Sequence, residues 1–175
     1  MTILEISTLE YATLMGLLGV TLIVVVWVLK EFTGMRNEIK ERTGINNETT
    51  KIRLQAYERL TLFAERVTLK NLLTRLPSDG VSAHLMQLAM VESIKSEYDY
   101  NVSQQIYVSD DMWKAITKLR DQNIYIIYQV ASILPPNASA MDLNKRILEF
   151  TMGNPNAELS GIVLEALRYE TKEIL

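Results

Sequence analysis

The feature that most constrains this chain is a run of nineteen residues, Tyr11 to Leu29 (YATLMGLLGVTLIVVVWVL), without a single charge. A helix rises about 1.5 Å per residue, so about 20 residues cross a hydrocarbon layer of about 30 Å. The run therefore reads as a membrane-spanning helix in contact with the lipid bilayer through residues 11–29. Tyr11 and Trp27 lie near its two ends, where amphipathic rings favour the headgroup layer, and Lys30 follows at once. A cleaved signal peptide would need a basic start, a shorter apolar stretch and a small-x-small cleavage site, and none of these is present.

Charge gives the span a direction. Glu5 and Glu10 precede it with no Lys or Arg, whereas Lys30, Arg36, Lys40 and Arg42 follow it closely. Basic residues near a span mark the cytoplasmic side, so the N-terminus is expected outside and the C-terminal part inside. Ala12, Gly16 and Gly19 recur at helical spacing on one side of the span, as in the small-residue faces through which membrane helices pack. Packing with a second copy would use such a face. The plain alternative is that glycine is common in membrane helices.

Three regions follow: a tail and anchor over 1–32, a polar juxtamembrane linker over 33–50 with Gly34 and Gly44, and a helical domain over 51–175. In the last region Gly and Pro are scarce and apolar residues recur every three or four positions, which favours helices. The stretch 51–76 reads as one long amphipathic helix, with Tyr57, Leu60, Ala64 and Val67 on its stripe, widened by Leu62, Phe63, Leu69, Leu73 and Leu76. Glu58 and Arg59 recur as Glu65 and Arg66, a charged flank that reads as a solvated face or the rim of a packing seam, the alternative being a grip on a partner helix. Pro77 to Gly80 is a stop-and-turn signal.

A second helix is expected over about 82–98, with Leu85, Leu88, Met90, Val91 and Ile94 inward, and a short extended stretch around Ile106 to Val108. Ser109, followed by Asp110 and Asp111, is placed to cap a third helix carrying Met112, Ile116, Leu119, Ile126, Val130 and Ile133 on one face. Pro135 and Pro136 end it. A fourth helix is expected from Met141 to about Met152, broken by Gly153, Asn154 and Pro155. A fifth is expected from about Ala157 onward, with Leu159, Ile162, Val163, Leu167 and Ile174 apolar. The fold class is thus all-α: a single N-terminal transmembrane helix followed by a compact bundle of about five helices.

At RLQAYERL (Arg53 to Leu60), SQQIYVS (Ser103 to Ser109) and ASAMDLNKRILE (Ala138 to Glu149) the chain resembles a family of uncharacterised single-span helical proteins from Bacteroidota. The resemblance spans nearly all of the region after the linker. It implies a bacterial inner-membrane protein and brings no catalytic residues with it.

Several chemistries lack their side chains. The sequence contains no cysteine, so disulfides, thiolate catalysis and Cys-ligated metals are excluded. His84 is the only histidine, and position 81 is Val81, so neither paired Glu-x-x-His motifs nor His-Glu-x-x-His can be built. His84 itself reads as an ordinary, partly exposed residue near a helix start. No Gly-rich phosphate loop and no Gly-x-Ser-x-Gly elbow occurs. The net charge of −3, with 18 basic residues interspersed among 21 acidic ones, offers no nucleic-acid field. Asn47-Glu48-Thr49, Asn101-Val102-Ser103 and Asn137-Ala138-Ser139 match the N-glycosylation triplet, but on the cytoplasmic side they are chance matches.

The recognition surface the sequence offers best is the acidic and aromatic junction around Glu97 and Asp99, with Tyr98, Tyr100, Gln104, Gln105 and Tyr107 as candidate partner-binding residues. Tyrosine at such junctions also serves to plug the space between helices. The expected function is a membrane-anchored interaction or scaffold module, an accessory subunit binding an unidentified protein or a second copy, without catalytic residue, metal or cofactor. The alternatives are a ligand- or membrane-responsive regulator and, behind it, an enzyme of unfamiliar type.

Overall fold

The computed structural model describes residues 8–154 and 159–174. Glu5 in the N-terminal tail, and Pro155 and Ala157, which bear on the break before the final helix and its start, lie outside them. Six α-helices and one 3-10 helix make up the described residues: α1 (Thr8–Arg66), α2 (Leu69–Arg75), α3 (Ala83–Asn101), the 3-10 helix (Val102–Ile106), α4 (Asp110–Ser132), α5 (Ala140–Gly153) and α6 (Ser160–Ile174). Pairing of extended backbone among them is confined to an isolated antiparallel bridge, Ser82 with Ser139. The chain divides into two units, Met1–Thr49 and Thr50–Leu175.

In the first unit the described backbone is helical from Thr8 onward, including the stretch 33–50 expected to be mostly linker. The physical reason is local. No proline occurs before Pro77, and an isolated glycine costs a helix only about 1 kcal/mol. Gly80 is the described glycine with a positive φ, so Gly34 and Gly44 do not provide the left-handed turn that ends helices. An i,i+4 pair between Arg42 and Glu38, 2.8 Å apart, adds modest support.

One helix among the described residues is long and apolar enough to cross a membrane, with a stretch of mean hydropathy 2.5 of which none is buried within the protein. One hydroxyl of the stretch is satisfied within the helix: Thr21 Oγ1 donates to the Leu18 carbonyl at 2.9 Å, so it needs no outside partner.

The second unit is a helical bundle whose core is built from Tyr57, Leu60, Phe63, Ala64 and Val67 at the end of α1, together with the inward faces of α2 to α6. The single helix expected over 51–76 is broken at Val67 and Thr68. Thr68 takes an extended conformation (φ −55°, ψ 139°), and its hydroxyl accepts from Asn71 N to start α2. The carbonyls left over by the break find side-chain donors. Asn71 Nδ2 reaches Glu65 O at 2.7 Å, Arg75 Nη2 reaches Arg66 O at 2.9 Å, and Asn123 Nδ2 of α4 reaches Val67 O at 2.7 Å in the core.

Two turns then meet. Pro77 to Gly80 leads to Ser82, which caps α3, and Pro135 to Ala138 leads to Ser139, which caps α5. Ala83 N donates to Ala138 O and Ala140 N to Val81 O, both at 2.9 Å, so the two helices start side by side. Ser139 and Asp142 form a reciprocal capping box, and the hydrogen bonds from Ser139 hold the Asp142 carboxyl below its ordinary range.

This pinned start selects the face α3 buries. Ala83, Met86, Met90, Val91 and Ile94 point inward, while Leu85 and Leu88, expected inside, are exposed. Leu62 and Ile162 are exposed as well, each one step round its helix from a buried neighbour, and Ile133 is exposed at the C-cap, where α4 has ended. Where extended chain was expected at Ile106 to Val108, the 3-10 helix runs to Ile106 and Tyr107 N bonds Gln104 O at 3.0 Å, a turn that spends the donor a strand would need.

Replacing Asn123 by Leu removes the donor to a buried carbonyl and should destabilise the protein by about 1–3 kcal/mol, read as a lowered midpoint in urea unfolding followed by circular dichroism. An unchanged midpoint would show that the helix break does not depend on this bond.

Candidate functional site

The junction between α3 and α4 gathers the sequence candidates, and the structure sorts them. Tyr98 is half-buried: its ring meets Phe63 edge-on at 6.2 Å and Trp113 at 5.3 Å, the Arg120 guanidinium lies 4.1 Å over it, and its hydroxyl is 3.1 Å from Thr117 Oγ1. Each polar and apolar part of this side chain is used inside the fold, so Tyr98 serves the core. Gln104 is buried, with its amide on Ser103 Oγ at 3.1 Å. Tyr107 is half-buried, and its carbonyl accepts from Arg53 Nε at 3.4 Å. Tyr100 and Gln105 face outward.

What remains at the surface is a small rim. Tyr100 is 71% exposed and its ring carries the guanidinium of half-buried Arg59 at 4.8 Å, an arrangement in which cation and ring attract while the tyrosine stays accessible. Val102 and Ile106, which sequence reasoning did not single out, add exposed apolar surface from the 3-10 helix. A helical stripe search misses them because five residues of 3-10 helix follow a different period.

Beside the rim, a depression of about 340 Å3 is lined by Arg66, Ser93, Ser96, Glu97 and Tyr100. Glu97 is held there by Arg66 at 3.2 Å and Arg75 at 3.6 Å. The charged flank of α1 is thus the rim of a seam within the chain: Arg59 and Arg66 grip α3.

A second polar cluster underpins the junction. Glu170 of α6 accepts from the Tyr57 hydroxyl at 2.6 Å and from Ser109 Oγ at 2.7 Å, tying the end of α1 and the cap of α4 to α6. Burial, followed by the hydrogen bond and charge of Glu170, pushes the Tyr57 phenol above its ordinary value near 10.

The other candidates sit apart. His84 is exposed in the first turn of α3. Around Gly16 and Gly19 an added Cβ would meet open space, and Ala12 is exposed. Among the described residues no group of three or more His, Asp or Glu side chains converges as a metal site.

These features define an all-helical protein with an apolar N-terminal helix and a bundle displaying a small aromatic rim. The chain belongs to a family of unknown function, DUF7935, whose model matches residues 1–174. No curated protein and no solved structure matches the chain.

The raised Tyr57 phenol has a sign. In the unfolded chain it ionises near pH 10, so its contribution is fully present below that pH and lost as pH rises through the higher folded value. Tyr57→Phe should therefore lower the melting temperature at pH 7, and the gap to the wild type should narrow above pH 10. Thermal melts from pH 7 to 11 check this, and a gap that widens with pH would contradict it.

Proposed function

We propose that this protein is a membrane-anchored interaction module. The apolar helix fixes it in the inner membrane of a bacterium, with the N-terminus outside and the helical bundle in the cytoplasm. The observation that carries the reading is the wholly unburied apolar stretch of α1. Each large apolar side chain left in water forgoes about 1.5–3 kcal/mol, so a stretch of this length calls for a lipid environment. The clustering of Lys30, Arg36, Lys40 and Arg42 after the span supports the orientation.

The bundle's role follows from its surface. Tyr100, Val102 and Ile106 are exposed aromatic and aliphatic residues at the α3–α4 junction, of the apolar character favoured at the centre of protein contacts. A scaffold or accessory subunit in a larger membrane complex fits this pattern. The second reading, a ligand-responsive regulator, draws on the depression lined by Arg66, Glu97 and Tyr100, whose charge and hydroxyl groups suit a small polar ligand. A melting shift across a metabolite panel would favour it.

Three measurements on the full chain test the leading reading. Membranes washed in alkaline carbonate should retain the protein, and protease added outside spheroplasts should leave the bundle intact. Affinity purification from mild detergent should recover a stoichiometric partner that is lost in a Tyr100→Ala/Ile106→Ser variant. Release by carbonate, or cleavage of the bundle from outside, would refute anchoring or orientation respectively, and a solitary monomer in every detergent would refute the scaffold role.

A further inference from the structure

We infer that the N-terminal helix pairs with a second copy of itself, in parallel, along a seam that leaves the membrane and continues into water. The seam is visible in the spacing. Val25, Val28, Phe32, Met35 and Ile39 follow one another at steps of 3, 4, 3 and 4, the alternation that keeps two supercoiled helices in contact. All five are exposed, and beyond the apolar run Phe32 is 66%, Met35 48% and Ile39 65% accessible.

Lipid does not account for the far end. Counted from Leu29 at about 1.5 Å per residue, Met35 stands about 9 Å and Ile39 about 15 Å past the apolar run. A headgroup layer is about 5–8 Å thick on each side, and even a tilt of about 40° leaves Ile39 more than 10 Å out. Ile39 therefore stands beyond the reach of lipid, where a protein surface is what could cover it. This step rests on the membrane-anchored reading, which also sets the two copies parallel.

Charge names the occupant. With Phe32 and Ile39 at the first seam position of each heptad and Met35 at the second, Glu31 and Arg36 occupy the two flanking positions. In a parallel pair these face each other five residues apart, so Glu31 of each copy meets the second copy's Arg36. Both side chains are exposed, and neither takes part in the ion pairs formed among the described residues. The helix is thus complementary to itself in one register. The next seam position is Arg42, drawn back to Glu38 of its own helix at 2.8 Å, and the apolar seam stops there.

This face is not the small-residue face. At about 100° per residue, Ala12, Gly16 and Gly19 lie on the opposite side of the helix, so the two modes of pairing bring different residues together.

Because the natural chain has no cysteine, single introduced cysteines report without interference. The full-length protein would carry Met35→Cys or Ile39→Cys on the seam, Asn37→Cys on the far side, or Gly19→Cys on the small-residue face. Each variant is oxidised with copper phenanthroline in native membrane vesicles and scored as disulfide-linked dimer. The two seam variants should give at least about fivefold more dimer than Asn37→Cys, the contrast expected between facing and averted positions. Adding Glu31→Arg to Met35→Cys should lower the yield about threefold, and adding Arg36→Glu as well should restore it.

Seam yields no higher than that of Asn37→Cys, or dimer from Gly19→Cys alone, would overturn the inference. So would a yield indifferent to both charge reversals. A carbonate wash of the same vesicles separates the two claims. Protein retained without seam dimers refutes pairing alone, whereas protein released refutes the anchoring from which parallel alignment was argued.

Discussion

The bundle depends on stopping α1 at Arg66. A helix that ran on through Leu76 would carry Leu69 and Leu72 away along its axis, yet both are buried in the core. Ending it strands backbone carbonyls, and a buried carbonyl without a donor costs about 1–3 kcal/mol. Three side chains take up these carbonyls, two at the surface and one in the core, where that cost applies. Two are local, Asn71 and Arg75, and the third comes from the middle of α4, where Asn123 is wholly buried and donates to Val67 O. The last contact links residues 56 apart in sequence, so the break and the docking of α4 stabilise each other.

A second constraint sets the bundle's other end. Serine at both helix starts lets Ser82 and Ser139 cap α3 and α5, and the two hydrogen bonds flanking them lock those starts together. With both origins fixed, rotation of each helix is no longer free, and the face each one buries follows. That is why Leu85 and Leu88 end outside although their spacing is as helical as that of Met86 and Met90.

The same logic shapes the candidate site. Tyr98, Gln104 and Tyr107 were conspicuous as residue types, but α1 supplies Phe63, Arg53, Arg59 and Arg66 to that junction, and the fold takes up the Tyr98 ring and the Tyr107 carbonyl in internal contacts. Tyr100 keeps an open ring with Arg59 over it, and Val102 and Ile106 join it from the 3-10 helix. Recognition in this reading belongs to a smaller and more apolar rim than the acidic, tyrosine-rich segment suggested. In the proposed pairing, the exposed residues beyond the apolar run give the proposed anchor a second use, as a device for joining copies.

The sequence alone determined what depends on neighbours along the chain. The charge-free run, the 3.6-residue periodicity of α4, the Ser109 cap with its acidic first turn, and the Pro77 and Pro135 turns were all legible, because each is a local matter of spacing, capping or backbone restriction. The tertiary structure decided the break at Val67, the outward turn of Leu85 and Leu88, and the sorting of the junction's tyrosines. Those outcomes rest on Asn123, on the Ser82–Ser139 bridge and on the end of α1. Each partner is brought close only by folding, and local pattern carries no information about which distant donor or ring will arrive.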